Sequence, residues 1–167
     1  KYFNLFSKKY KKVLAFDGGG VRAIMGIYFL KKLEEESSKS IFESFDLFIG
    51  TSAGATNALM LGMKGSSIKD LEKFWTIENL KRIMNQSFID KTSIFQTRPK
   101  YSNEGKKEIL YNFFENKKIG ESLKPVVVTA YDLEARKPIL ISSYGDPEVT
   151  AVQAANCLLY TSPSPRD

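Results

Sequence analysis

The chain has 167 residues, 43% hydrophobic and 26% charged, with a formal net charge of +6. That length and composition fit one globular α/β-sized domain and exclude a chain that is disordered throughout. With no histidine, these residues cannot build a Ser-His-Asp triad, a Cys-His pair or a His-ligated zinc, and the single cysteine, Cys157, excludes an internal disulfide or a CxxC pair.

The excess charge is concentrated at the N-terminus. Lys1, Lys8, Lys9, Lys11 and Lys12 stand in residues 1–12 without an acid, while the rest of the chain carries twenty basic against nineteen acidic side chains. Tyr2, Phe3, Leu5, Phe6 and Tyr10 are interleaved with these lysines, which suits the segment either to an anionic membrane surface or nucleic acid or, more simply, to a solvated leader into the first strand.

Residues 12–16 (KVLAF) read as a short buried strand that enters the turn Asp17-Gly18-Gly19-Gly20. A helix is expected next, with Ile24, Ile27 or Tyr28, Leu30 and Leu33 on one face, ending in a polar run at residues 34–40. Residues 45–49 form a second apolar strand, which meets Gly50-Thr51-Ser52-Ala53-Gly54 and then a small-residue helix through Ala58, Leu59, Leu61 and Met63. Ser67 and Asp70 have capping-box spacing before a helix that carries Leu71, Phe74 and Trp75. Residues 85–102 read as irregular and 104–115 as an amphipathic helix. Residues 125–131 and 139–142 read as neighbouring strands, and Asp146-Pro147 as the start of a helix with Val149, Val152 and Ala155 facing inward. Strands alternating with helices give an α/β sandwich around a mostly parallel sheet.

Two segments carry chemistry. Gly50-Thr51-Ser52-Ala53-Gly54 is a G-x-S-x-G between a strand and a helix. A serine on that sharp turn projects its hydroxyl above the sheet, and the helix N-terminus behind it favours a developing oxyanion. Gly18-Gly19-Gly20, with Arg22 one turn on, is a concave run of backbone N–H groups suited to an anion. It fits an oxyanion hole serving Ser52, or a dinucleotide fingerprint, because Gly18, Gly20 and Ala23 satisfy G-x-G-x-x-A. Asp17 beside a pyrophosphate, and the absence of an acid at the end of the next strand, count against the dinucleotide. A serine nucleophile without histidine needs another base, and a carboxylate whose basicity is raised by its surroundings can serve.

DGGGVR followed some thirty residues later by GTSAG, together with the stretch PVVVTAYDLEARKPILISSYGDPEVTAVQAAN, resembles the patatin-like phospholipases over residues 13–156. The resemblance implies a three-layer α/β/α sandwich and hydrolysis of acyl esters in phospholipids and related lipids by a Ser-Asp dyad, with no metal or cofactor. It implies Ser52 as nucleophile on the elbow Gly50, Thr51, Ala53 and Gly54, and Gly18, Gly19 and Gly20 with Arg22 as the oxyanion hole. Phospholipid is the implied substrate, nucleic acid is not expected as a partner, and the implied location is cytoplasmic or peripheral to a membrane. The family's aspartate lies in a D-G-G or D-G-A motif downstream of the matched segment. The one Asp-Gly here, Asp17-Gly18, belongs to the glycine turn, while Asp132 and Asp146 match structural positions, so no catalytic aspartate is assigned. The expected organisation is an arm at 1–12, a partial patatin-like domain at 13–156, and a non-native tail at 157–167. On that expectation the chain is a fragment that is inactive alone; a phosphate-binding module and a catalytically dead interaction domain are the alternatives.

Deleting residues 1–12 is expected to abolish binding to anionic phospholipid vesicles in a sedimentation assay; undiminished binding would remove the arm from any role at membranes.

Overall fold

The computed structural model describes residues 10–84, 103–132 and 135–156. Most of the basic arm, the irregular stretch 85–102 and the tail 157–167 lie outside the described residues.

The centre is a four-stranded sheet in the order β1 (Val13–Phe16), β2 (Leu47–Thr51), β3 (Val126–Asp132) and β4 (Lys137–Ser142). The first three strands are parallel, and β4 returns antiparallel to β3, so the two late apolar runs are a hairpin. Leu14, Phe48 and Val126 lie in one row of the register, and Phe16, Gly50 and Val128 two rows on, on the same face. The helices are α1 (Ala23–Ser37), α2 (Ile41–Ser44), α3 (Ala53–Lys64), α4 (Ile68–Phe74), α5 (Ile77–Met84), α6 (Asn103–Phe114) and α7 (Ala151–Asn156). The result is a mixed, mostly parallel sheet flanked by helices, the α/β class implied by the sequence.

The helix α3 is the core element. Every residue from Gly54 to Met63 is buried, as the all-round apolar and small-residue composition requires. Small residues let it lie close to the strands: a Cβ at Gly62 would come within 2.1 Å of Val126 Cγ2. Phe48, Leu59, Leu61, Leu71, Leu110 and Phe114 fill the space around it. Burial of side chains this size stabilises the fold by roughly 1.5–3 kcal/mol each. The opposite sheet face is more open, with Val13, Tyr131 and Leu140 at 45%, 53% and 66% exposure.

Polar ties fix the periphery. Ser67 and Asp70 form the capping box expected at the start of α4. Trp75 Nε1 donates to the buried Asn57 Oδ1 at 2.6 Å and joins the end of α4 to α3. Lys124 Nζ donates to the carbonyls of Phe42 and, at 2.7 Å, Phe45, and lies 4.5 Å from the Phe42 ring centroid. That cation anchors the approach to β2.

Several boundaries differ from the sequence reading. Strand β2 begins two residues later and continues through Thr51, because it pairs with β3 up to Thr129. In α1, Ile27 and Leu30 are buried, while Tyr28 is 61% and Leu33 36% exposed. The last helix starts at Ala151, not at Asp146. Thr150 Oγ1 accepts the Gln153 N–H and Gln153 Oε1 accepts the Thr150 N–H, a reciprocal cap that outcompetes the Asp-Pro start. The Asp146 carboxylate instead accepts the Ser142 N–H at 3.0 Å.

Lys106 on α6 donates from Nζ to the Ala155 carbonyl at 2.9 Å, and burial pushes its ammonium down to about 8. A lysine with a depressed folded-state value binds its proton more weakly than the unfolded chain does, so its contribution to stability rises with pH above about 8. Relative to Lys106→Met, the wild type is therefore expected to gain stability as pH climbs from 8 through 10.5, by no more than about 3 kcal/mol. Urea unfolding of both proteins across that window checks this; parallel curves would contradict it.

Candidate active site

The candidate site forms where β1 and β2 end. Strand β2 stops at Thr51, Ser52 turns the chain with φ 54° and ψ −128°, and α3 starts at Ala53. A positive φ at a serine is held at a cost of about 1–3 kcal/mol, so the surroundings must enforce it. Ser52 is exposed, and its side chain makes no capping hydrogen bond to α3, so the hydroxyl is not folded onto the helix N-terminus. The Ser52 carbonyl accepts the Ala55 N–H at 2.9 Å and closes the turn.

The two glycines of the elbow are required by close backbone approach. A Cβ at Gly50 would lie 2.3 Å from the Gly54 carbonyl oxygen and 2.5 Å from Ala55 Cα. A Cβ at Gly54 would lie 2.5 Å from the Phe16 carbonyl oxygen and 2.6 Å from that of Asp17. The second contact joins the two motifs, because the first turn of α3 is seated on the exit of β1.

Past that exit, Gly18 passes beside the serine: a Cβ there would sit 3.2 Å from Ser52 Cβ and 3.6 Å from Thr51 Cγ2. Gly19 has φ 142° and Gly20 φ 60°, and a 3-10 turn over Gly20–Arg22 leads into α1. The Arg22 backbone N–H donates to the Gly19 carbonyl at 3.2 Å, and its side chain is exposed. The glycine turn and Ser52, apart by more than thirty residues in sequence, are neighbours at one sheet end. The ends of parallel strands are where α/β proteins hold ligands.

Thr129 joins this group, although nothing singled it out in the sequence. It pairs with Thr51 in the β2–β3 register, and the two hydroxyls are 2.6 Å apart. Its signal was modest: one hydroxyl at the C-terminal end of the apolar run PVVVTAY.

Asp17 stands at the site, directly before Gly18, whereas Asp46 and Asp146 fall elsewhere. Asp46 stands before β2, at the opposite end of that strand from Gly50, and its carboxylate accepts the Lys12 N–H at 3.0 Å. That placement leaves no ribose-binding acid at the end of β2 and weakens a dinucleotide reading of the glycine turn. Asp146 is engaged in its own turn, where it accepts the Ser142 N–H, and not as the helix cap that the sequence implied. Among the described residues, no group of three or more His, Cys, Asp or Glu is placed to hold a metal ion, and no helix is long and apolar enough to cross a membrane.

Residues 14–157 match the family model of the patatin-like phospholipases. The chain is 30% identical to Patatin-like protein 4 of Arabidopsis thaliana over 175 residues, covering 95% of this chain and 42% of that protein. It is 36% identical to Phospholipase A I of Arabidopsis thaliana over 73 residues, 44% of this chain and 5% of the relative. Over 64 residues it is 38% identical to the Calcium-independent phospholipase A2-gamma of Rattus norvegicus, 38% of this chain and 8% of the relative. The chain thus spans about two fifths of the length of Patatin-like protein 4.

Gly50→Ala is expected to destabilise the fold by more than about 2 kcal/mol, since the methyl meets backbone that cannot yield. Gly26→Ala on α1, where nothing lies within 4 Å of the added methyl, should stabilise by up to about 1 kcal/mol. Chemical denaturation of the two variants measures both; equal effects would contradict the packing described.

Proposed function

We propose a function from one premise: the chain belongs to the patatin-like phospholipase family. On this reading the protein is a lipid acyl hydrolase, a carboxylic ester hydrolase of the phospholipase A type. Ser52 is its nucleophile, and the base is an aspartate supplied by polypeptide outside this chain. The observation that carries the reading is the contact between the two motifs, with Gly18 beside Ser52 on the exit of β1.

The chemistry follows from those positions. Ser52 Oγ attacks the ester carbonyl carbon as its proton passes to the aspartate carboxylate, and the carbonyl π electrons move onto oxygen. Backbone N–H groups of Gly18–Gly20 and the positive end of α3 stabilise that oxyanion, with the exposed Arg22 adding charge nearby. Collapse of the tetrahedral intermediate breaks the bond to the alcohol, which leaves with the proton held by the aspartate. Water, deprotonated by the same carboxylate, then hydrolyses the acyl-enzyme and restores the serine. The strained backbone of Ser52 suits this role, because preorganisation at the reacting centre is where strain is retained in folded proteins.

The chain alone, without the aspartate, is proposed to be inactive. The lipid substrate would be drawn from a membrane or micelle, with the basic arm at 1–12 as the proposed surface contact.

A serine-directed fluorophosphonate probe applied to the full-length protein tests the assignment. Labelling and ester hydrolysis are both expected to vanish in Ser52→Ala; labelling that survives would overturn it. An unreactive Ser52 in a protein whose ATP or NAD binding is lost in Gly19→Val would establish the phosphate-binding alternative instead.

A further inference from the structure

We infer that Thr129, on the strand beside the elbow, is a positioning residue that fixes the distance between Ser52 and the glycine turn by locking the side chain of Thr51. The inference rests on Ser52 being the nucleophile and adds a residue to the site that no motif contains.

Thr51 is the last residue of β2, and its side chain stands between two neighbours. Its Oγ1 is 2.6 Å from Thr129 Oγ1 on β3. Its Cγ2 methyl lies on the other side, close to Gly18 beyond the end of β1, 3.6 Å from where a Cβ would be. A β-branched side chain has few χ1 choices, and its hydroxyl and methyl turn together. The bond to Thr129 therefore decides where the methyl goes: with the hydroxyl held toward β3, the methyl is held on the side of Gly18, where it would touch any Cβ placed there. Gly18 is also the residue beside Ser52, with its absent Cβ position 3.2 Å from Ser52 Cβ. One hydroxyl pair thus sets the lateral spacing of three strand ends, β1, β2 and β3, at the place where attack and oxyanion stabilisation must coincide.

The constraint matters because the elbow is strained. Ser52 sits at φ 54°, and the residue immediately before it is the one that Thr129 holds. Without the bond, Thr51 can change rotamer, the methyl leaves Gly18, and the gap between Ser52 Oγ and the turn's N–H groups loosens. Geometric slack of that kind lowers the rate of the chemical step, and a misplacement of about 1 Å costs roughly 100-fold. Partial loosening should cost about tenfold in kcat with KM unchanged, since Thr129 touches the elbow and not the substrate. The Thr pair lies on the exposed sheet face, so its loss should move global stability little.

Steady-state hydrolysis of a p-nitrophenyl acyl ester by the full-length protein provides the test. Thr129→Val is expected to lower kcat about tenfold with KM and Tm close to wild type, and Thr129→Ser, which keeps the hydroxyl, to recover most of the loss. Thr51→Val removes the same bond from the other side, and Thr51→Val with Thr129→Val should be no slower than either alone. It also serves if Thr129→Val folds poorly. Wild-type kcat in both Val variants, in a protein that Ser52→Ala inactivates, would overturn the inference and leave the nucleophile intact. So would a loss that Thr129→Ser does not recover. Full activity in Ser52→Ala would overturn the nucleophile assignment itself, and this inference with it.

Discussion

The close approach of the α3 N-terminus to the backbone leaving β1 is the constraint on which the rest of the site depends. With Gly54 set where any side chain would meet the Phe16 and Asp17 carbonyls, the helix can be drawn down until Gly18 passes beside Ser52. Gly50 makes the same allowance from the strand side, where the Gly54 carbonyl and Ala55 lie over it. Two short motifs become one site because glycine has no Cβ at two positions. The energy that holds them together comes from further along α3. Ten consecutive buried residues, from Gly54 to Met63, tie that helix to the sheet and supply the burial that offsets the strain at Ser52.

That division between a rigid support and a strained tip is characteristic of sites whose chemistry requires geometry before substrate arrives. The positive φ of Ser52, the positive φ values of Gly19 and Gly20 and the Thr51–Thr129 pair all cluster at one end of the parallel strands. Among the described residues the ion pairs are elsewhere: Lys31 with Glu72 between α1 and α4, Lys32 with Glu35 within α1, Arg82 with Glu108 between α5 and α6, and Lys118 with Glu148. Such exposed pairs contribute little to stability and lie away from the proposed chemistry. The chain covers 42% of Patatin-like protein 4, and the base proposed for Ser52 is an aspartate outside the residues given.

Much of the fold was legible in order and type. The apolar run at 12–16, the elbow, the capping box at Ser67–Asp70 and the late strand pair were all marked by local chemistry. What misled was competition between local signals. Asp146-Pro147 is a good helix start, but the Asp146 carboxylate is taken by Ser142 N–H, and Thr150 with Gln153 offers a reciprocal cap. Helix α1 shows the same limit: Ile24, Ile27 and Leu30 face the core as periodicity implied, with Ile27 chosen over Tyr28, but Leu33 is exposed. Helix α2 and helix α5 are short, and neither has a periodic run long enough to declare itself.

The sequence by itself determined the parts of the candidate site, because each depends on residue type at adjacent positions: glycines where backbone must pass, a serine at a strand-to-helix turn, and no histidine to partner it. It also determined the family, whose model matches residues 14–157. Only the tertiary structure decided that the motifs touch, since the contacts of Gly54 with Phe16 and of Gly18 with Ser52 cross more than thirty residues. Only the tertiary structure decided that Thr129 belongs with them. Strand pairing brings it opposite Thr51 from 78 positions away, and a hydrogen bond between side chains leaves no trace in the spacing of either segment.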